Sequence, residues 1–173
     1  MKKLTKFMIL FALLYNISAF SKSTDKDAPL HIEADQLEIR EKDSVSIYNG
    51  HVKITKGTMK ISGDKIIIKN KNGSLYKIHI NGTPATFYQL NDIDEVISAE
   101  SYIMDYEAKT GLLELKEKAL LLKNKNRFSS EHIIYNTLDD IVKAGNHNKP
   151  DSQETPRVKI TIHPEPQSNE PAK

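Results

Sequence analysis

From Leu30 to about Ala144 the chain returns repeatedly to one pattern, short stretches in which apolar and polar residues alternate. Leu30-His31-Ile32-Glu33-Ala34, Val45-Ser46-Ile47, Val52-Lys53-Ile54 and Ile66-Ile67-Ile68 are of this kind. Ile78-His79-Ile80, Tyr102-Ile103-Met104-Asp105-Tyr106 and Leu113-Glu114-Leu115 continue it. Successive side chains on a strand point to opposite faces, so such stretches build sheets with one apolar face. Turn-forming residues fall between them, at Asn49-Gly50, Ser62-Gly63-Asp64, Asn72-Gly73, Asn81-Gly82, Thr110-Gly111 and Asp139-Asp140. Each is read as a chain reversal. No segment carries a helical stripe. The pattern predicts an all-β fold of short antiparallel strands arranged as a sandwich, barrel or roll.

A repeat lies on top of the alternation. Gly50–Ile68 aligns without a gap on Glu117–Tyr135, so that Val52 meets Ala119, Ile54 meets Leu121, Ile61 meets Phe128 and Ile66 meets Ile133. A shorter motif (small, acid, any, apolar, any, apolar) occurs four times, beginning at Ala34-Asp35, Gly63-Asp64, Ala99-Glu100 and Ser130-Glu131. Stacked two-strand units would give this spacing. The acid is expected at a corner, where a carboxylate can accept backbone N–H bonds, with the apolar pair that follows pointing inward.

The two ends differ from the middle. Met1-Lys2-Lys3 and Lys6 precede an apolar run from Phe7 to Ile17, followed by Ser18-Ala19-Phe20-Ser21. The run is about half the roughly 20 residues needed to span a bilayer, and small residues follow it at a cleavage spacing. Residues 1–21 are therefore read as a secretory signal peptide and 22–28 as a flexible segment. The domain is placed at 29–163, with a last strand at Arg157–His163 after the polar loop 146–156. Residues 164–173 are read as a solvated tail. Cleavage removes three of the 25 Lys+Arg and none of the 23 Asp+Glu, so the basic surplus expected of a nucleic-acid binder does not survive. Cysteine is absent, so in an oxidising compartment packing alone stabilises the fold.

Catalytic signatures are not found. The histidines at 31, 51, 79, 132, 147 and 163 have no metal-ligand spacing, no serine sits in a nucleophile elbow, and no glycine-rich loop could cradle phosphate. Asp139-Asp140 belongs to a turn. The chain is read as a non-enzyme without cofactor or metal. What remains is the interior. The apolar seam is either simply the core or a slot that stays partly open to acyl chains, and alternation alone does not separate the two.

Three segments carry a family resemblance. Leu30-His31-Ile32-Glu33-Ala34-Asp35, the stretch Asn49–Ile61 with Gly63-Asp64-Lys65, and Gly82-Thr83-Pro84-Ala85-Thr86-Phe87-Tyr88-Gln89 resemble the OstA-like family, that of periplasmic lipopolysaccharide transport proteins. The likeness covers roughly residues 29–163. It implies an open twisted β-jellyroll whose hydrophobic groove shields lipid A acyl chains between the two membranes. Implied partners are lipopolysaccharide, an LptC-like inner-membrane protein, an LptD-like outer-membrane translocon and further copies joined head to tail. Strands near Leu30–Ala34 and Val158–Ile162 are expected to form the joining edges. Expected groove residues are Leu30, Ile32, Ile54, Phe87, Tyr102, Met104, Tyr106, Leu121, Phe128, Ile133 and Tyr135. The alternative is an envelope scaffold that polymerises through strand edges without carrying lipid.

Overall fold

Ten strands form one antiparallel sheet in a computed structural model that describes residues 28–91, 93–145 and 157–164. The expected signal peptide, the loop 146–156 and nearly all of the expected tail lie outside the described residues. The strands are β1 (Leu30–Glu33), β2 (Gln36–Arg40), β3 (Val45–Lys56), β4 (Met59–Lys71) and β5 (Ser74–Leu90). They continue as β6 (Val96–Glu107), β7 (Leu112–Lys123), β8 (Asn126–Asn136), β9 (Ile141–Ala144) and β10 (Lys159–Thr161). The order is β1-β3-β4-β5-β6-β7-β8-β10, with β2 also pairing β3 and β9 also pairing β8. The all-β antiparallel class and the last strand follow the alternation.

Three of the expected reversals are not reversals. Asn49-Gly50, Ser62-Gly63-Asp64 and Asn81-Gly82 lie inside β3, β4 and β5, where the ladder register slips between Asn49 and Val52, Ser62 and Lys65, and Asn81 and Ala85. Further slips fall at Glu100/Ile103 and Lys116/Ala119. These bulges are aligned across neighbouring strands, so each long strand divides into two halves along one line. A bulge bends its strand and sharpens the local twist. A row of them folds the sheet over on itself. The first layer holds β1, β10 and the halves 52–56, 59–63, 85–90, 96–101, 119–123 and 126–130. The second holds β2, β9 and the halves 45–49, 65–71, 74–81, 103–107, 112–116 and 132–136.

The sequence repeat has a backbone counterpart at this line. Gly50 and His51 both take positive φ (80° and 46°), and so do Glu117 and Lys118 (64° and 53°), the residues aligned with them. Two consecutive left-handed residues bend β3 and β7 alike. The four motif acids mark the same line. Asp35, between β1 and β2, donates its N–H to the Gly50 carbonyl (3.1 Å), and its carboxylate pairs with His51 Nδ1 at 2.8 Å. Asp64 accepts from the Thr83 hydroxyl at 3.0 Å, so the partners of these two carboxylates are side chains. At the next bulge the buried Ser101 hydroxyl donates to the Ile103 carbonyl (2.7 Å). An unpaired carbonyl there would cost about 1–3 kcal/mol. The other three expected reversals are true hairpin turns, at Asn72-Gly73 with positive φ at both residues, at Thr110-Gly111, and at Asp139-Asp140 between β8 and β9.

Residues directly opposite in an antiparallel ladder share a face. Ile54, Ile61, Phe87, Ala99 and Leu121 form one continuous inner row of the first layer. Ile66, Ile80, Met104, Leu115 and Ile133 form the matching row of the second. All of them are buried and belong to a single core cluster. One face of one sheet is buried on both halves because the halves cover each other.

Candidate functional site

The inner face is the candidate site, and it changes character along the roll. In the middle it is closed. Ile54, Phe87, Met104, Leu121, Ile133 and Tyr135 are each at most 1% exposed, and Tyr106 is buried beside them. Phe87 in the first layer and Tyr106 in the second stack with ring centroids 5.8 Å apart. They are not ladder partners, since Phe87 faces Ala99 and Tyr106 faces Ile78, so this contact crosses between layers. Each such side chain stabilises the fold by about 1.5–3 kcal/mol through burial.

Toward both ends the cover thins. Leu30 and Ile32 on β1 and Phe128 on β8 are partly buried against the core. On β2, Leu37 pairs with Tyr48, itself opposite Ile66, and Ile39 pairs with Ser46, opposite Ile68. Both therefore point inward, yet they are 55% and 59% exposed. At the other end Ile160 pairs with inward Phe128 and is 54% exposed. Val158 and Ile162 share its parity and are also exposed. The apolar stripe thus runs out of the closed middle at both ends. β1 and β2 hydrogen-bond on one side only to β3, and β9 and β10 only to β8, among the described residues.

The residues selected from sequence are brought together with one exception. Tyr102 lies at the Glu100/Ile103 bulge, where the strand changes which parity faces inward, so Ser101 and Met104 are buried while Tyr102 is not. Its hydroxyl accepts from Lys118 Nζ at 2.8 Å, and that ammonium sits 4.8 Å from the ring centroid. Sequence reasoning did not select Leu37, Ile39 and Ile160 for the groove. The apolar pair of the first motif repeat was the available signal for the first two.

The outer face of the second layer carries a polar ladder over four strands. Asp105 on β6 lies 2.9 Å from His79 Nδ1, 3.0 Å from Lys77 Nζ and 3.3 Å from Lys116 Nζ. Lys116 also reaches Glu114 (2.9 Å), which pairs with His132 Nε2 (2.9 Å). Burial opposes ionisation of Asp105, but the hydrogen bonds from His79, Lys77 and Lys116 outweigh it and hold its carboxyl down at about 2. Glu114 is likewise lowered against its own burial by Lys116 and His132. Both carboxylates are held ionised by hydrogen bonds from lysine and histidine side chains and are poor candidates for proton transfer at neutral pH. Their arrangement braces β5 to β8 from outside. The chemistry available to the inner face is apolar contact.

Known proteins share this architecture. A family model described as LptA/(LptD N-terminal domain) LPS transport protein matches residues 31–140. Lipopolysaccharide export system protein LptH of Pseudomonas aeruginosa is 31% identical over 160 residues, 90% of either chain. Lipopolysaccharide export system protein LptA of Escherichia coli K12 is 33% identical over 125 residues, 71% of this chain and 68% of that one. The crystal structure of LptH, described as the LptA homologous periplasmic component of the lipopolysaccharide transport device of Pseudomonas aeruginosa, matches with a TM-score of 0.72 at 29% identity. The match covers 81% of this chain and 99% of that one.

Proposed function

This chain belongs to the LptA/LptD N-terminal domain family of lipopolysaccharide transport proteins, and from that premise we propose that it carries lipopolysaccharide across the periplasm with the acyl chains held against the inner face of the roll. The observation that carries the reading is the inner apolar stripe, continuous through the core and exposed at both ends at Leu37, Ile39 and Ile160. A saturated chain of about a dozen carbons costs roughly 10 kcal/mol to hold in water, at about 0.8 kcal/mol per methylene. A lipid with several chains needs apolar cover that does not stop at the end of one molecule. Free edges at β1 and β2 and at β9 and β10 suit strand addition between copies. The edge of one copy then meets a different edge of the next, and such a contact extends without closing.

On this reading an LptC-like inner-membrane protein adds to one end and an LptD-like outer-membrane protein to the other. The groove comprises Leu30, Ile32, Ile54, Phe87, Met104, Tyr106, Leu121, Phe128, Ile133 and Tyr135, with Leu37, Ile39 and Ile160 extending it. Residues 1–21 serve as a cleaved signal peptide for export, and 29–163 form the transport domain. Depleting the protein from its own cell tests the reading. Newly made lipopolysaccharide should stop reaching the cell surface and accumulate at the inner membrane. Undiminished surface lipopolysaccharide in depleted cells would overturn it and leave the envelope-scaffold function.

A further inference from the structure

The middle of the roll is packed shut, yet the proposed ligand must lie between its layers. Along one long side the layers are continuous through the bulged strands. Along the other the chain turns over between strands, at 57–58, 91–95 and 124–125 in the first layer and at 72–73, 108–111 and 137–140 in the second. Lys123 ends β7 in the first layer, and its ammonium pairs with Asp140 in the β8–β9 turn of the second. The other oxygen of Asp140 accepts from the Tyr135 hydroxyl at 2.9 Å. The Tyr135 ring is 1% exposed within the core. One carboxylate therefore links the mouth of the roll to its interior. The first-layer side is itself pinned, because Asn124 donates its N–H to the Val96 carbonyl (2.9 Å) and its side-chain amide to Glu95 (2.5 Å).

We propose that Lys123, Asp140 and Tyr135 form a clasp that closes the turn-side mouth of the roll and parts to admit an acyl chain sideways; this rests on the transport reading above. The clasp is built to release. The side chains of Lys123 and Asp140 are 23% and 48% exposed, and ion pairs in that setting hold weakly. A ligand that gains from burial only when the layers separate shifts the balance toward the open form. The turn that carries Asp140 presents an apolar tip, Leu138 at 70% exposure, and the β5–β6 turn tied to Asn124 presents another, Ile93 at 73%. An acyl chain approaching from this side meets them before it meets the core.

The chain contains no cysteine, so two introduced thiols can be bridged selectively. The full chain with Lys123→Cys and Asp140→Cys is joined by a reducible three-carbon bis-methanethiosulfonate, and uptake of a fluorescent dodecanoic acid is followed before and after reduction. The bridged protein, melting no lower than the unbridged one, should take up the probe on the order of tenfold more slowly, with full recovery on reduction. Lys123→Met alone should speed uptake. Equal rates in bridged, reduced and Lys123→Met proteins would overturn the clasp and mean that chains enter through the open ends. If the unmodified protein takes up no probe, the transport reading falls, and the clasp with it.

Discussion

Phe87 and Tyr106 meet across the interior, one from each layer, with ring centroids 5.8 Å apart and planes tilted by 40°. The two rings lie on different halves of a sheet that is folded over, so their contact reports the closure of the roll itself. Breaking it should loosen one layer from the other. A double-mutant cycle with Phe87→Leu and Tyr106→Leu, read by denaturant unfolding, should show a coupling of about 0.5–1.5 kcal/mol. Additive losses would mean that the layers are held together elsewhere.

Asp105 should matter at neutral pH and cease to matter in acid. Its folded-state pKa is depressed from 3.8 to about 2. The associated stability is therefore present above the unfolded value and is lost as pH falls through the folded one. With partial solvent screening, Asp105→Asn should cost on the order of 1–2 kcal/mol at pH 7, and the gap should close between about pH 4 and pH 2. A difference that persists at pH 2 would point to packing and not to charge.

At position 50 glycine is favoured by space as well as by φ. A Cβ on Gly50 would stand 2.2 Å from Asp35 Oδ2 and 2.8 Å from Asp35 Cβ, whereas one on Gly73 would meet nothing within 4 Å. Both residues have positive φ, so the backbone penalty is shared. Gly50→Ala should destabilise by about 1 kcal/mol more than Gly73→Ala in thermal or denaturant unfolding. Equal losses would show that Asp35 swings aside freely.

The alternation reported the core more faithfully than it reported the path of the chain. Ile66 and Ile68, Ile78 and Ile80, Leu113 and Leu115, and Ile133 and Tyr135 point inward as period two requires. Asn49-Gly50 and Asn72-Gly73 look alike locally, since both supply positive φ. Only the second reverses the chain. The first bends a strand that stays paired on both sides of the bend, a difference set by distant ladder partners. Period two groups Tyr102 with Met104, and the bulge at Glu100/Ile103 breaks that parity. Lys123 and Asp140 come together because the sheet folds over, and nothing within either segment signals it.

On the transport reading, the C-terminal strand is proposed as a joining edge that the core does not need. β10 adds three residues to β8, and its one apolar side chain, Ile160, is 54% exposed. On light scattering the full chain should form concentration-dependent oligomers, and deleting Arg157–Lys173 should leave a cooperatively folding monomer. Oligomers of unchanged size would place the joining edge elsewhere.

On the proposed function, acyl chains lie against the inner face. Phe87 is buried on that face, and Lys53 is exposed on the opposite face of the first layer. A photoreactive amino acid placed at each position in living cells reports which face the lipid touches. A lipopolysaccharide adduct is expected at position 87 and none at 53. With both proteins exported and folded, adducts at neither position, or at 53 alone, would contradict it.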